Sequence, residues 1–204
     1  MTGRARTLPT STQSPEYAER LQRLSGARWK RLVSAQAPYR WNVRRLRLGW
    51  TLDVGCGIGR NLAHLDGHGV GVDHNPTSVA AARDRGLLAY TPDDFRASQF
   101  ADAGAFDSLL AAHLIEHLEP DAARDILDGY LKYVQPGGLA VFITPQEKGY
   151  ASDPTHIAWS DFEVLRRLAV DLGLQPEREY SFPFPRGAGR RFRYNEFVLV
   201  ARLP

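Results

Sequence analysis

The feature that most constrains this chain is Asp53-Val54-Gly55-Cys56-Gly57-Ile58-Gly59, which closes a short apolar run, Thr51–Val54, and opens a helical stretch. Glycines at alternate positions let the backbone turn tightly and approach a ligand where a side chain would clash, and the first N–H groups of the following helix face the same space. A strand, a glycine turn and a helix in that order need parallel neighbours. The sequence supplies them: 69–73, 87–90, 108–112 and 139–144 each read as a short buried strand, with helical stretches between several of them. This alternation predicts an α/β fold, a parallel sheet with right-handed crossovers and helices on both faces. Toward the C-terminus, 161–172 is amphipathic and helical, 177–181 and 196–201 read as final strands, and the Pro-, Gly- and Arg-rich 182–193 between them reads as a loop.

Ahead of the glycine turn, residues 1–15 are rich in Thr, Ser, Pro and Arg without apolar periodicity and read as a mobile tail. From 16 to 48, Tyr17, Leu21, Leu24, Trp29, Leu32 and Val33 recur at helical spacing, so this part reads as a helical cap, broken at Pro38 and opening one domain over 16–204. The net charge of +3 hides an asymmetry: the first sixty residues carry twelve Arg or Lys against Glu16, Glu19 and Asp53. With lysine only at 30, 132 and 148, this basic lobe is read as a solvated surface, and no nucleic-acid partner is expected. The single cysteine excludes an internal disulfide and a Cys-rich zinc site. No run approaches the ~18 apolar residues of a membrane span, and a cytoplasmic location is expected.

A dinucleotide fingerprint would read G-x-G-x-x-G, whereas this turn reads G-x-G-x-G with an acid two residues before the first glycine. Twenty residues after Asp53, Asp73 ends the second strand, where a carboxylate can accept hydrogen bonds from both hydroxyls of a ribose. Together these features resemble motif I and the following acidic position of the class I S-adenosylmethionine (SAM)-dependent methyltransferases, over residues 52–73. Val134-Gln135-Pro136-Gly137-Gly138 resembles that family's turn before its fifth strand, and the likeness extends over about 45–204. It implies a three-layer Rossmann-like fold, with a mostly parallel seven-stranded sheet, one antiparallel C-terminal strand and an N-terminal helical cap. The implied cofactor is SAM. By the same resemblance Asp53, Gly55 and Gly57 line its methionine end, Asp73 and the adjoining His74 its ribose, and Asp94 with Phe95 its adenine, Asp93 competing with Asp94. Ala112 and His113 close the pocket after the fourth strand. Cys56 belongs to the loop as a small residue, since a nucleophilic cysteine needs an activating base and none is indicated.

Methyl transfer from a sulfonium is an in-line displacement, so the protein aligns the acceptor and, for a hydroxyl, removes a proton. His113-Leu114-Ile115-Glu116-His117 follows the fourth strand at the edge of the sheet where ligands bind in open α/β folds. If the chain turns helical at once, His113, Glu116 and His117 share one face. Asp153-Pro154-Thr155-His156-Ile157-Ala158-Trp159-Ser160 lies after the fifth strand, over the same edge. This arrangement is similar to the metal site of the small-RNA 2′-O-methyltransferase family and to metal-binding O-methyltransferases of the ubiquinone-pathway type, departing from both in carrying His113 where a glutamate is usual. No metal ion is expected; Glu116 and His117 are the candidates for holding one, and zinc, manganese or iron would suit them better than magnesium. His156, and after it His113, is expected to act as general base, because imidazole titrates near neutral pH. His64 and His68 flank a turn and are read, like His74, as structural or exposed.

The expected activity is therefore SAM-dependent methylation of a hydroxyl on a small or lipid-linked metabolite, such as a sugar, phenol or polyketide. Tyr150, Trp159, Phe182 and Phe184 are expected to offer the acceptor an apolar wall, and Arg186, Arg190, Arg191 and Arg193 an anion contact. The alternatives are an RNA 2′-O-methyltransferase and a non-catalytic SAM-binding partner subunit.

Overall fold

The computed structural model describes the backbone of residues 29–204, with side chains from 36 onward; the tail assigned to 1–15 and the start of the cap, 16–28, lie outside the described residues. Seven strands form one sheet: β1 (Thr51–Val54), β2 (Gly69–Val72), β3 (Ala89–Tyr90), β4 (Phe106–Ala112), β5 (Val134–Pro145), β6 (Gln175–Phe182) and β7 (Glu196–Arg202). Their order is β3-β2-β1-β4-β5-β7-β6. β1 to β5 pair in parallel, and only β7 runs against its neighbours β5 and β6. The order reverses between β1 and β4, and in open α/β sheets the crevice beyond the carboxyl ends at such a reversal is where ligands bind.

Successive side chains on a strand point to opposite faces, and a parallel sheet is covered on both. Leu109 and Ala111 of β4 accordingly join Leu52, Val54, Phe142, Phe197 and Leu199 in one core, closed by Ala123, Leu127 and Leu131 of one helix (Pro120–Leu131) and Leu165, Leu168 and Ala169 of another (Phe162–Asp171). Leu110 and Ala112 face the other way, with Val141, Ile143, Val198 and Val200. That second face is covered by the end of the first described helix, α1 (Trp29–Arg45), through Val43 and the following Leu46 and Leu48. The remaining helices are α2 (Arg60–His64), α3 (Pro76–Arg83), α4 (Pro92–Arg96), α5 (Pro120–Leu131), α6 (Glu147–Tyr150) and α7 (Phe162–Asp171).

Several sequence expectations are corrected. Pro38 does not break the cap helix but lies inside α1. A proline removes one backbone donor, and here it does so on an exposed position while Asn42 and Val43 further along are buried. Gln135-Pro136-Gly137-Gly138 is not a turn ahead of β5 but a bulged opening to it: Val134 pairs with Phe106, the register shifts, and Leu139 resumes opposite Ser108. The expected loop 182–193 holds a 3₁₀ turn, Arg186–Arg190, and the segment between β5 and Asp153 holds the short helix α6. Among the described residues no helix is long and apolar enough to cross a membrane.

Candidate active site

The glycine turn leaves the end of β1 at the reversal point. Gly55 has φ +76°, and a Cβ there would lie 2.9 Å from Leu114 Cδ1, so the loop after β4 rests directly on this glycine. The N–H groups of Gly55 and Cys56 both donate to the Val72 carbonyl, at 2.8 and 3.1 Å, and that of Gly57 donates to Asp73 Oδ2 at 2.8 Å. Asp73 Oδ1 accepts from the Asn75 N–H, also at 2.8 Å. The turn is thus pinned to the end of β2, and Asp73 is the peg. His74 is exposed, its Nδ1 3.7 Å from Asp73 Oδ1.

Asp53 is fully buried, and neither of its side-chain oxygens has a hydrogen-bond partner among the described residues. Burial first, and the charge of Asp73 second, push its carboxyl up to about 7. An orphaned buried acid is costly in isolation, and an adjacent cation relieves it. The carboxyl presents no surface to a ligand, so a cation bound over the turn, such as the sulfonium or ammonium of SAM, would act on it through space and not by contact.

The residues expected at the adenine end divide. Asp94 is exposed at the start of α4, 3.7 Å from Arg83, and Asp93 pairs with Arg96. Phe95, by contrast, is wholly buried, its ring centroid 5.1 Å from that of Tyr133 and in further contact with Phe106 and Tyr130. Its side chain is a core element with no surface for a ligand, which corrects its placement at the cofactor. Ala112 likewise packs into the core under α1. Cys56 sits against Leu62, Val79, Ala82 and Ala89, and burial pushes its thiol well up, so it is no nucleophile.

Beyond β4 the chain does not turn helical at once. His113 takes φ +59°, with its N–H on the Ile143 carbonyl, and only Ile115–His117 forms a 3₁₀ turn. The helical condition for a face shared by His113, Glu116 and His117 is therefore not met. Instead the His113 ring bridges two carboxylates, Nδ1 at 3.1 Å from Glu116 Oε1 and Nε2 at 2.9 Å from Glu196 Oε1. Its partial burial opposes protonation, yet the two acids outweigh it and hold the imidazole up at about 10, although 41% of the side chain remains exposed. A ring that donates from both nitrogens has no lone pair for an incoming proton, which removes His113 as a general base. Glu196 was missed from sequence; it opens β7 opposite Pro145 and reaches the site only because β7 pairs with β5.

His117 and His156 behave differently. His117 Nδ1 lies 3.2 Å from the Thr155 carbonyl and His156 Nδ1 2.8 Å from the Tyr150 carbonyl. A carbonyl only accepts, so each Nδ1 carries the proton and each Nε2 keeps a lone pair. Burial holds the His117 imidazole below its ordinary range. The rings are 4.7 Å apart between centroids. The Glu116 carbonyl accepts from the N–H groups of Ile157 and Ala158, at 2.8 and 3.1 Å, which fastens the segment carrying His156 to the loop after β4.

Of the expected acceptor wall, Tyr150 and Trp159 stand edge to face at 5.3 Å beside His156. Phe184 is exposed and packs edgewise on Phe192. Phe182 is instead buried against Tyr39 and Trp41, a packing role. Arg186 is committed to a two-pronged pair with Glu147 at 2.7 and 2.9 Å, Arg190 approaches the same acid at 4.0 Å, and Arg193 lies over Tyr194, whereas Arg191 is exposed.

Residues 52–142 match a family model described as a methyltransferase domain. Among curated proteins none matches the sequence significantly. Solved structures share the fold. A SAM-dependent methyltransferase from Archaeoglobus fulgidus superposes with a TM-score of 0.63 at 18% identity, covering 80% of this chain and 92% of that one. A TehB-like SAM-dependent methyltransferase from Corynebacterium glutamicum gives 0.64 at 19% identity, over 94% of this chain and 100% of that one. Magnesium protoporphyrin IX methyltransferase from Synechocystis, crystallised with bound SAH, gives 0.64 at 14% identity, over 95% and 96%. Residues 52–142 thus match a methyltransferase domain, and the fold around them is that of the class I SAM-dependent methyltransferases.

Proposed function

We propose that this SAM-dependent methyltransferase domain passes its methyl group to a hydroxyl of a small or lipid-linked metabolite, a sugar, phenol or polyketide, with His156 receiving the hydroxyl proton. One observation carries the reading: His156 donates from Nδ1 to the Tyr150 carbonyl at 2.8 Å, which leaves Nε2 as a proton acceptor at the carboxyl edge of the sheet. That edge is continuous with the cofactor turn, because Leu114, two residues before Glu116, rests on Gly55. Asp53 faces the cationic end of SAM, Asp73 the ribose and Asp94 the adenine.

In the reaction the acceptor oxygen forms a bond to the methyl carbon as the carbon–sulfur bond breaks. The electron pair of that bond stays on sulfur, turning the sulfonium into a neutral thioether, and the hydroxyl proton passes to Nε2 of His156. The role of this chain is alignment and proton removal. Tyr150 and Trp159 supply the apolar wall for the acceptor.

Methyl-labelled SAM with panels of phenols, sugars and polyketides tests the assignment. Label should appear as a methyl ether on a hydroxyl, Asp73→Ala should abolish SAM binding, and His156→Ala should lower kcat by 10²–10⁴-fold with SAM affinity retained. Label on RNA, or full turnover by His156→Ala, overturns it.

A further inference from the structure

We propose that Glu116, His117 and His156 form a divalent metal site of the zinc type, an ion for which the sequence offered Glu116 and His117 as candidates but whose binding it did not lead us to expect. It deepens the O-methylation reading, on which its functional meaning rests, by assigning the acceptor hydroxyl an electrophile.

The donor atoms of these three residues lie within 4.8 Å of one another. Glu116 is fully buried, and its Oε2 has no hydrogen-bond partner among the described residues. Buried carboxylate oxygens are rarely left so. Both imidazoles spend Nδ1 on backbone carbonyls, those of Thr155 and Tyr150. That is the support metal-bound histidines characteristically have: the second nitrogen anchors the ring and sets the tautomer, and Nε2 is presented as a ligand. The atoms of this cluster left free to hold a cation are thus all acceptors, two imidazole nitrogens and a carboxylate oxygen. Acceptors face each other at a loss unless a cation lies among them.

The donor set selects the ion. Two imidazoles and one carboxylate make the three-ligand set of catalytic zinc sites, which leave a fourth position for water or substrate. It suits magnesium poorly, since that ion prefers an all-oxygen octahedron. Bonds of about 2.1 Å in a tetrahedron put ligand atoms ~3.4 Å apart, so the side chains close by about an ångström on binding. Each is on a short tether held at its base: Glu116 and His117 by the 3₁₀ turn, His156 by a segment bonded to the Glu116 carbonyl. The other Glu116 oxygen stays on His113, which fixes the carboxylate's orientation. With an ion bound, His156 would serve as a ligand, and a hydroxyl entering the fourth position would be acidified and would lose its proton to water; with the site empty, that proton passes to Nε2 of His156.

The test is titration of the metal-stripped protein with Zn²⁺ by calorimetry, and with Co²⁺ by its visible absorption. One ion per chain should bind, at least a hundredfold more weakly in Glu116→Gln or His117→Ala, and with unchanged affinity in His68→Ala, an exposed histidine outside the cluster. Retained SAM binding certifies that the variants are folded. Independently of any variant, Zn²⁺ should shift the imidazole nitrogen signals of His117 and His156 and leave those of His64, His68 and His74 in place. Absence of one-to-one binding, binding that survives in both variants, or unmoved signals overturns the site. Labelled-SAM turnover measured alongside separates the two readings: transfer to a hydroxyl without metal binding leaves His156 as a metal-free base and overturns the ion, whereas metal binding without transfer to any hydroxyl overturns O-methylation and keeps the ion.

Discussion

Asp53 lies one residue inside the end of β1 and Asp73 directly follows β2, the neighbouring strand, and burial, with the charge of Asp73 second, holds the Asp53 carboxyl at about 7 rather than its ordinary 3.8. Between those two values the folded chain keeps a proton the unfolded chain has lost, so stability of the SAM-free protein falls as pH rises across the window. The full loss is about 4 kcal/mol above pH 7. Asp53→Asn should remove that slope and be the more stable protein at pH 8 in urea unfolding. An unchanged slope would show that Asp53 is not the titrating group.

SAM should reverse the effect. A cation beside Asp53 favours the carboxylate, so binding at pH 7 should release about half a proton, read from calorimetry in buffers of different ionisation enthalpy. Asp53→Asn should release none and bind SAM roughly tenfold or more weakly, through loss of the carboxylate's field.

His64 is buried at the end of α2 with Nδ1 unpartnered among the described residues, and burial, reinforced by Arg60, Arg40, Arg44 and Arg85, lowers its imidazole to about 4. Here the unfolded chain binds the extra proton between pH 6.5 and 4, so stability is lost as pH falls through that range, by about 3 kcal/mol. This opposes the effect of Asp53, and the two separate in difference: wild type minus His64→Leu should decline toward acid, wild type minus Asp53→Asn toward base.

Gly55→Ala should strain the turn by about 1–2 kcal/mol at φ +76° and press on Leu114, whose Cβ, Cγ and Cδ1 all lie within 3.2 Å of the new methyl. Because Leu114 leads into Glu116 and His117, both SAM affinity and turnover should fall. Gly55→Ala with Leu114→Ala should regain part of the SAM affinity; a double variant no better than the single would place the whole effect in the backbone.

His113→Ala removes the cation between Glu116 and Glu196 and leaves two acids facing one gap. We expect a loss of roughly 2 kcal/mol, below the fully buried figure because the ring is partly exposed, with His113→Gln recovering some of it. Chemical denaturation reads the loss directly, and an unaffected midpoint in His113→Ala would show that the bridge contributes nothing.

What the sequence by itself determined is local. The glycine turn after Thr51–Val54, the acid ending β2 and the alternation of apolar runs with helices follow from backbone freedom and periodicity, and they led directly to the strands, the sheet class and the cofactor. Which side chains meet was decided only by tertiary structure. Phe95, beside an exposed acid in sequence, turns into the core against Tyr133; Glu196, far along the chain, reaches His113 through the pairing of β7 with β5. His117 and His156 converge because the Glu116 carbonyl fastens one loop to the other. Such contacts depend on strand order and register, where a shift of one residue sends a side chain to the opposite face, and no local pattern encodes that.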